Sequence, residues 1–404
     1  MKVRIQAGIA SGSIQAPPSK SAAHRALIAA ALAKGTSIVR GVAPSEDILA
    51  TLDCVRALGA KVILSGNTAA VTGFANLPAE KFPCRESGST LRFLLPLCLL
   101  RETPAVLSGS PRLLERPMEV FCKICAEQGL LYEREEDQIR VCGPLSAGNF
   151  SIRGDLSSQF LSGLLFALPL LNGESRLVIE PPFFSRPYVE MTLDTLAKFD
   201  VRVERPDPLT FIIPGNQSYR PADLAVEGDW SNAAFYEALN LFGGRVTVSG
   251  LDPASRQGDR VYRALFSKIL SGCPVVDIAD CPDLAPILMA MGAAFHGIVL
   301  QNTARLKEKE SDRGAAMAQE LAKFGVACKV EENAIAVSCG KLKTPAQPVC
   351  GHNDHRVVMA CATLLTHTGG ELIGAEAVKK SNPDYFEDLK KLGIGVTVYE
   401  TDNR

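Results

Sequence analysis

One pattern returns six times along this chain of 404 residues, and it leaves few folds open. Each occurrence is an amphipathic helix, a small residue or turn, and then a β-like run. The copies are "TLDCVRALGAKVIL", "EVFCKICAEQGLLYE", "MTLDTLAKFDVRVE", "ALFSKILSGCPVVDI", "AQELAKFGVACKVEE" and "FEDLKKLGIGVTVYE". Their turns fall at Gly59, Gly129, Asp200, Gly272, Gly325 and Gly393, with steps of 70, 71, 72, 53 and 68 residues. Hairpin-like returns such as "VILSGNTAAVTG" and "KVEENAIAVSCG" follow several of them. A second series of helices starts near Ser21, Ser89, Ser157, Trp230, Leu284 and Asp354, at steps of 68, 68, 73, 54 and 70. These have polar or charged starts and apolar bodies, as in "SSQFLSGLLFALPLL" and "DLAPILMAMGAAFHG". Helices apolar on every side are buried ones. Each unit of about 70 residues therefore carries a buried helix, an amphipathic surface helix and a small sheet. That period is long for a solenoid, and the chain exceeds one ordinary core, so we expect two domains of three units.

Composition narrows the partners. With 47% hydrophobic and 22% charged residues the chain reads as soluble and globular. A net charge of −1 gives no global attraction to nucleic acid or to a membrane, so any anion site must be local. The start "MKVRIQ" reads as a strand without the apolar core of a signal peptide. The longest apolar run, Leu284 to Leu300, is interrupted by Pro286, Gly292 and His296, and we expect a buried helix there and no membrane span. Twelve cysteines without a secretory signal suggest reduced thiols in a cytoplasm. Cys122 and Cys125 have metal or redox spacing but no second pair, and His352 and His355 lack a familiar ligand set, so no metal is expected.

Local cations are present, and in an unusual place. In "PPSKSAAHR" the prolines and serine announce a helix, yet Lys20, His24 and Arg25 crowd its first turns, where the helix dipole is already positive. Arg92 and Arg356 lie near other helix starts, Arg112 and Arg116 precede "PMEVF", and Lys379 and Lys380 precede Asn382-Pro383. Taken singly, Ser89, Ser157 and Asn353 read as helix caps, but capping does not account for the cations. Helix N-termini carrying cations suit an anion. Asp283, at the mouth of the most apolar helix, is either a cap or a carboxylate placed as a general base. "RLKEKESDRG" reads first as a solvated charge run.

Ten stretches in order carry a resemblance: "PPSKSAAHRALIAAALA", "SGSTLRFLLPL", "RLLERPM", "SSQFLSGLLFALP", "SRPYVEMTLDTLAKF", "EGDWSNAAF", "DCPDLAPILMAMGA", "KESDRGAAMAQEL", "NDHRVVMA" and "NPDYFEDL". Together they span nearly the whole chain, which closely resembles the 5-enolpyruvylshikimate-3-phosphate synthases. The resemblance implies an α/β fold of two domains, each of three βαβαββ units, like an α/β barrel turned inside out, with the active site in the interdomain cleft. It places residues 1–16 plus 228–404 in one domain and 17–227 in the other, crossing near Pro17 and Gly228. It implies enolpyruvyl transfer from phosphoenolpyruvate to the 5-hydroxyl of shikimate 3-phosphate, with no cofactor, by a cytoplasmic monomer.

By match to the family's motifs, Lys20, Ser21, Arg25, Ser157, Ser158, Gln159, Ser185, Asp283 and Lys309 are expected at shikimate 3-phosphate. Lys20, Gly88, Arg116, Gln159, Arg313, Arg356 and Lys380 are expected at phosphoenolpyruvate. Asp283 is the expected base for the 5-hydroxyl, and Glu310 and Lys20 share proton traffic at the methylene carbon. His24 and Trp230 receive no role. The chain departs from the family at Arg85-Glu86-Ser87 before Gly88, at Lys307-Glu308 before Lys309, and at Trp230. The alternatives are the sister transferase acting on UDP-N-acetylglucosamine, whose loop cysteine is missing from "GSPRLLER", and a non-catalytic anion-binding repeat protein.

Overall fold

The first strand does not pair with its neighbour in sequence. In a computed structural model that describes residues 1–73 and 80–399, Lys2–Ile5 lies between Gly370–Ile373 and Val396–Tyr399, antiparallel to both. The chain divides into two compact units, Met1–Pro17 with Gly228–Arg404, and Pro18–Glu227.

Within Pro18–Glu227 three four-stranded sheets repeat one plan: a parallel pair, then an antiparallel return. Lys81–Pro83 runs parallel to Ala105–Ser108, which pairs with Gln138–Cys142 and through it with Leu131–Arg134. Asn149–Arg153, Ser175–Glu180, Thr210–Ile213 and Glu204–Asp207 follow the same order. The first sheet, built on Thr36–Arg40, takes its parallel partner Leu224–Ala225 from the far end of the unit. Two of the buried helices, Gly88–Cys98 and Ser158–Ala167, pack directly on each other. Gly163 permits it, because a Cβ there would stand 2.2 Å from the carbonyl oxygen of Arg92. Phe93 and Phe166 meet across the same core at 5.7 Å between ring centroids.

The other unit explains the short step in the repeat. Val275–Asp277, Ile298–Gln301, Ala334–Val337 and Cys328–Val330 form a full four-stranded sheet. Among the described residues Arg245–Ser249 pairs only with Ser11–Gln15. The helix Tyr262–Ser271 then leads straight into Val275–Asp277 of the next sheet, with no hairpin between. Backbone angles report the same omission. Gly59, Gly129, Gly325 and Gly393 have φ of 100°, 67°, 83° and 87°, and Asp200 has 62°: left-handed residues that end the helix and turn it into its hairpin. Gly272 has φ 161°, which is extended backbone. The N-terminal segment thus serves two repeats, opening the fourth with Ser11–Gln15 and completing the sixth with Lys2–Ile5.

The most apolar helix, Ala285–Ala294, is buried on all sides. Among the described residues no helix is long and apolar enough to cross a membrane.

Candidate active site

Charged side chains are buried in both units at the starts of these helices. In Pro18–Glu227, Ser19 caps Lys20–Leu32 by accepting the Ala22 amide. Lys20 Nζ stands 2.6 Å from Asp47 Oδ2, itself in the first turn of Glu46–Ala57, where a negative charge is favoured. Arg25 is buried, 2% exposed, beneath the same helix start. Its Nε donates to Thr192 Oγ1 at 2.8 Å, its NH1 to the Ser21 carbonyl at 2.7 Å, and its NH2 to the Tyr188 carbonyl at 2.9 Å. The guanidinium also lies 5.0 Å from the centre of the Phe93 ring. All these partners are neutral, and burial pulls Arg25 down to about 10.

His24, unassigned from sequence, heads a buried relay. Thr90 Oγ1 donates to Ser87 Oγ at 2.7 Å, so it accepts from Thr51 Oγ1, 2.7 Å away. Thr51 in turn accepts from His24 Nδ1 at 2.6 Å, which fixes the proton on Nδ1. Burial, Lys20 and Arg25 all push the imidazole well below its usual pKa, so it is neutral. The relay ties the helix beginning at Lys20 to that beginning at Gly88.

Gly88 meets Arg116. A Cβ at residue 88 would lie 2.5 Å from Arg116 NH1, so a larger residue would push the guanidinium away from this helix start. Arg116 is buried at 7% exposure, and no carboxylate among the described residues pairs with it. Gln159 is held at both ends: its Oε1 accepts from Arg92 at 2.8 Å and its Nε2 donates to Ser89 Oγ at 2.9 Å. Ser157 caps its helix through the Gln159 amide, with Ser158 buried behind it. Ser185 is buried with φ 54°, a sparsely occupied region for serine.

In the other unit Asp283 is gripped by cations. Arg313 NH1 lies 2.7 Å from Oδ1, Arg356 NH2 2.9 Å from Oδ2, and Lys309 Nζ 3.4 Å from Oδ1. Burial alone would raise this carboxyl, but Arg356, Lys309 and Arg313 outweigh it and hold it well below the usual carboxylate range. Asp283 makes no cap: it sits in the one-turn 3-10 helix Pro282–Leu284, and Ala285–Ala294 has no side-chain cap. Arg313 also binds Glu310 Oε2 at 2.7 Å and Asp354 Oδ2 at 2.8 Å. Asp354, fully buried, caps His355–Thr368 through the Arg356 amide. Arg356 keeps Nε and NH1 buried without a hydrogen-bond partner among the described residues. Lys380 Nζ donates to the Asn353 carbonyl at 2.6 Å. Burial and then Asp283 drive the carboxyl of Asp259 up to about 8, against Arg356 and Lys309, and it bonds Ser231 Oγ.

The structure therefore gathers Lys20, Ser21 and Arg25 at one helix start, with Gly88 against Arg116 and Gln159 at two others, and Asp283, Lys309, Glu310, Arg313 and Arg356 in one cluster in the other unit. Sequence reasoning missed Asp47, Asp354 and Asp259 as charge partners, and Arg92 as the residue that orients Gln159. A weak signal existed for Ser162 and Thr192, the hydroxyls around Arg25: each is a polar residue on a helix face that is otherwise apolar. "RLKEKESDRG" is not merely a solvated run, since Arg313 is 1% exposed.

Comparison with known proteins gives the family and the fold. The EPSP synthase family model, described as 3-phosphoshikimate 1-carboxyvinyltransferase, matches residues 6–271 and 266–389. A 3-phosphoshikimate 1-carboxyvinyltransferase of Clostridium kluyveri is 38% identical over 405 residues, covering 95% of each chain. One of Clostridium perfringens is 36% identical over 417 residues, covering 97% of this chain and 98% of its own. Two solved structures share the fold: EPSP synthase from Acinetobacter baumannii (TM-score 0.78, 21% identity, 98% of this chain and 100% of that one) and the enolpyruvyl transferase NikO from Streptomyces tendae (TM-score 0.75, 16% identity, 98% of both). With a family model covering most of its length and relatives this similar along nearly all of theirs, the chain belongs to the EPSP synthase family, the 3-phosphoshikimate 1-carboxyvinyltransferases.

Proposed function

We propose that this transferase moves the enolpyruvyl group of phosphoenolpyruvate to the 5-hydroxyl of shikimate 3-phosphate by addition and elimination. One observation carries the substrate class: Arg25 and Arg116 are buried guanidiniums that no carboxylate among the described residues neutralises. Burying such a charge is costly unless an anion meets it, and guanidinium matches phosphate and carboxylate as a planar fork.

In this reading Ser21, Arg25, Ser157, Ser158, Ser185 and Lys309 hold shikimate 3-phosphate. Gly88, Arg116, Arg313, Arg356 and Lys380 hold phosphoenolpyruvate, and Lys20 and Gln159 serve both. Protonation of the methylene carbon, assigned to Glu310 or Lys20, makes C2 electrophilic. The 5-hydroxyl oxygen bonds to C2 as its proton passes to Asp283. A carboxylate stabilised as Asp283 is remains ionised and is a weak base at rest. It accepts the proton once O–C bond formation has made that proton acidic. The tetrahedral adduct then returns a methyl proton to the group that supplied it, Glu310 or Lys20, and expels phosphate, leaving the new enol ether. Fixed cations supply the charge stabilisation. The same reading takes each compact unit as one domain of three repeats and the chain as a monomer.

The assay is phosphate release on mixing the protein with phosphoenolpyruvate and shikimate 3-phosphate. Release is expected with this pair and not with UDP-N-acetylglucosamine as acceptor; the reverse result would transfer the assignment to the sister activity.

A further inference from the structure

Glu320 is fully buried, yet it lies outside the substrate-facing residues named above. It sits on the helix Arg313–Lys323, seven residues beyond Arg313, or about 10 Å along the axis. Its Oε2 accepts the Cys350 amide at 2.8 Å and pairs with Lys323 Nζ at 2.7 Å. Its Oε1 lies 2.7 Å from His352 Nε2. A carboxylate can only accept here, so the proton of His352 is on Nε2.

The segment so held is unusual. His352 and Asn353 are consecutive non-glycine residues in left-handed conformation, with φ of 49° and 53°. Such backbone persists only where its surroundings enforce it. Directly after it come Asp354 and Arg356, and the Asn353 carbonyl is the acceptor for Lys380 Nζ. The helix Arg313–Lys323 thus grips the 350–356 segment twice, at Asp354 through Arg313 and at Cys350 and His352 through Glu320.

We propose that Glu320 and His352 are positioning residues: they clamp the left-handed turn that sets Arg356 and Lys380 for phosphoenolpyruvate. The inference rests on the assignment of those two cations to phosphoenolpyruvate. Losing the outer grip frees the turn, and with it the carbonyl that fixes Lys380 and the start of the helix that carries Arg356. Shikimate 3-phosphate is assigned no residue on this segment, so its binding is spared.

The test uses the full chain and compares His352→Ala with His352→Gln. His352 is partly exposed, so both variants can fold, and the glutamine amide can place an N–H where the imidazole Nε2–H stands. Wild-type turnover is measured first, so that a failure of the substrate assignment shows before any variant is compared. In His352→Ala the KM for phosphoenolpyruvate is expected to rise about tenfold, with the KM for shikimate 3-phosphate changed less than about twofold. His352→Gln is expected to recover most of the loss. Amide hydrogen exchange gives a readout independent of activity: residues 353–356 exchange faster in His352→Ala than in wild type. An unchanged KM for phosphoenolpyruvate, equal rises for both substrates, no recovery by glutamine, or unaltered exchange would each overturn the proposal.

Discussion

Two carboxyls in the Asp283 cluster are pushed in opposite directions. Asp283 touches Arg313, Arg356 and Lys309 and stays ionised. Asp259, buried at 2% exposure beside that negative charge, is raised to about 8 and is neutral through most of the physiological range. The consequence for stability has a definite sign. An unfolded Asp ionises near pH 4. Between there and about pH 8 unfolding releases the proton that native Asp259 holds, so this residue lowers stability as pH rises. The ceiling for one such proton is about 1.4 kcal/mol per pH unit. Asp259→Asn, which resembles the protonated acid in shape, removes that term. The drop in Tm between pH 5 and pH 8 is expected to be smaller in the variant than in the wild type; an equal drop would show Asp259 ionised in the native protein. Nothing in "RQGDRVY" distinguishes this aspartate from a solvated one. Its protonation comes first from burial and then from Asp283, both set by packing of residues distant in sequence, and the same reason hid the pairing of Lys20 with Asp47.

At the scale of elements, the repeat was readable because local chemistry repeats with it. Left-handed residues, four of them glycines, end five of the six amphipathic helices, and the helix Ala285–Ala294 is buried along nearly its whole length. The 53-residue step was visible too, but its cause, a missing hairpin, shows only in the pairing of Arg245–Ser249 with Ser11–Gln15. Helix contacts were less readable. Gly163 looks like a tolerated glycine within "SSQFLSGLLFALP", whereas it is the point where Ser158–Ala167 meets the backbone of Gly88–Cys98. The atom in the way of a Cβ there is the carbonyl oxygen of Arg92, which cannot rotate aside, so Gly163→Ala must separate the helices. We expect a loss of about 1–3 kcal/mol in denaturant-derived stability. Turnover is expected to fall as well, because Arg92 and Gln159 sit on the two helices and hold each other at 2.8 Å. Stability within about 0.5 kcal/mol of wild type would mean the helices adjust without cost.

At the scale of the whole molecule, the two units differ in how far they depend on the chain's first residues. Every described sheet of Pro18–Glu227 closes within that segment, the first of them through Leu224–Ala225. The 228–404 segment does not close by itself. Without residues 1–17 the sheet of Gly370–Ile373 loses the strand that joins it to Val396–Tyr399, and Arg245–Ser249 loses its sole described partner. Unpaired backbone and the exposed apolar faces of Val3, Ile5 and Ile14 partners would then face water. Expressed alone, residues 18–227 are expected to unfold in one cooperative transition, whereas residues 228–404 alone are expected to show none. Supplying residues 1–17 as a separate peptide, or fused through a flexible linker after residue 404, should restore a transition to the second fragment. If residues 228–404 fold cooperatively without that peptide, the N-terminal strands are an accessory to the unit, and the fourth and sixth repeats are held by their helices.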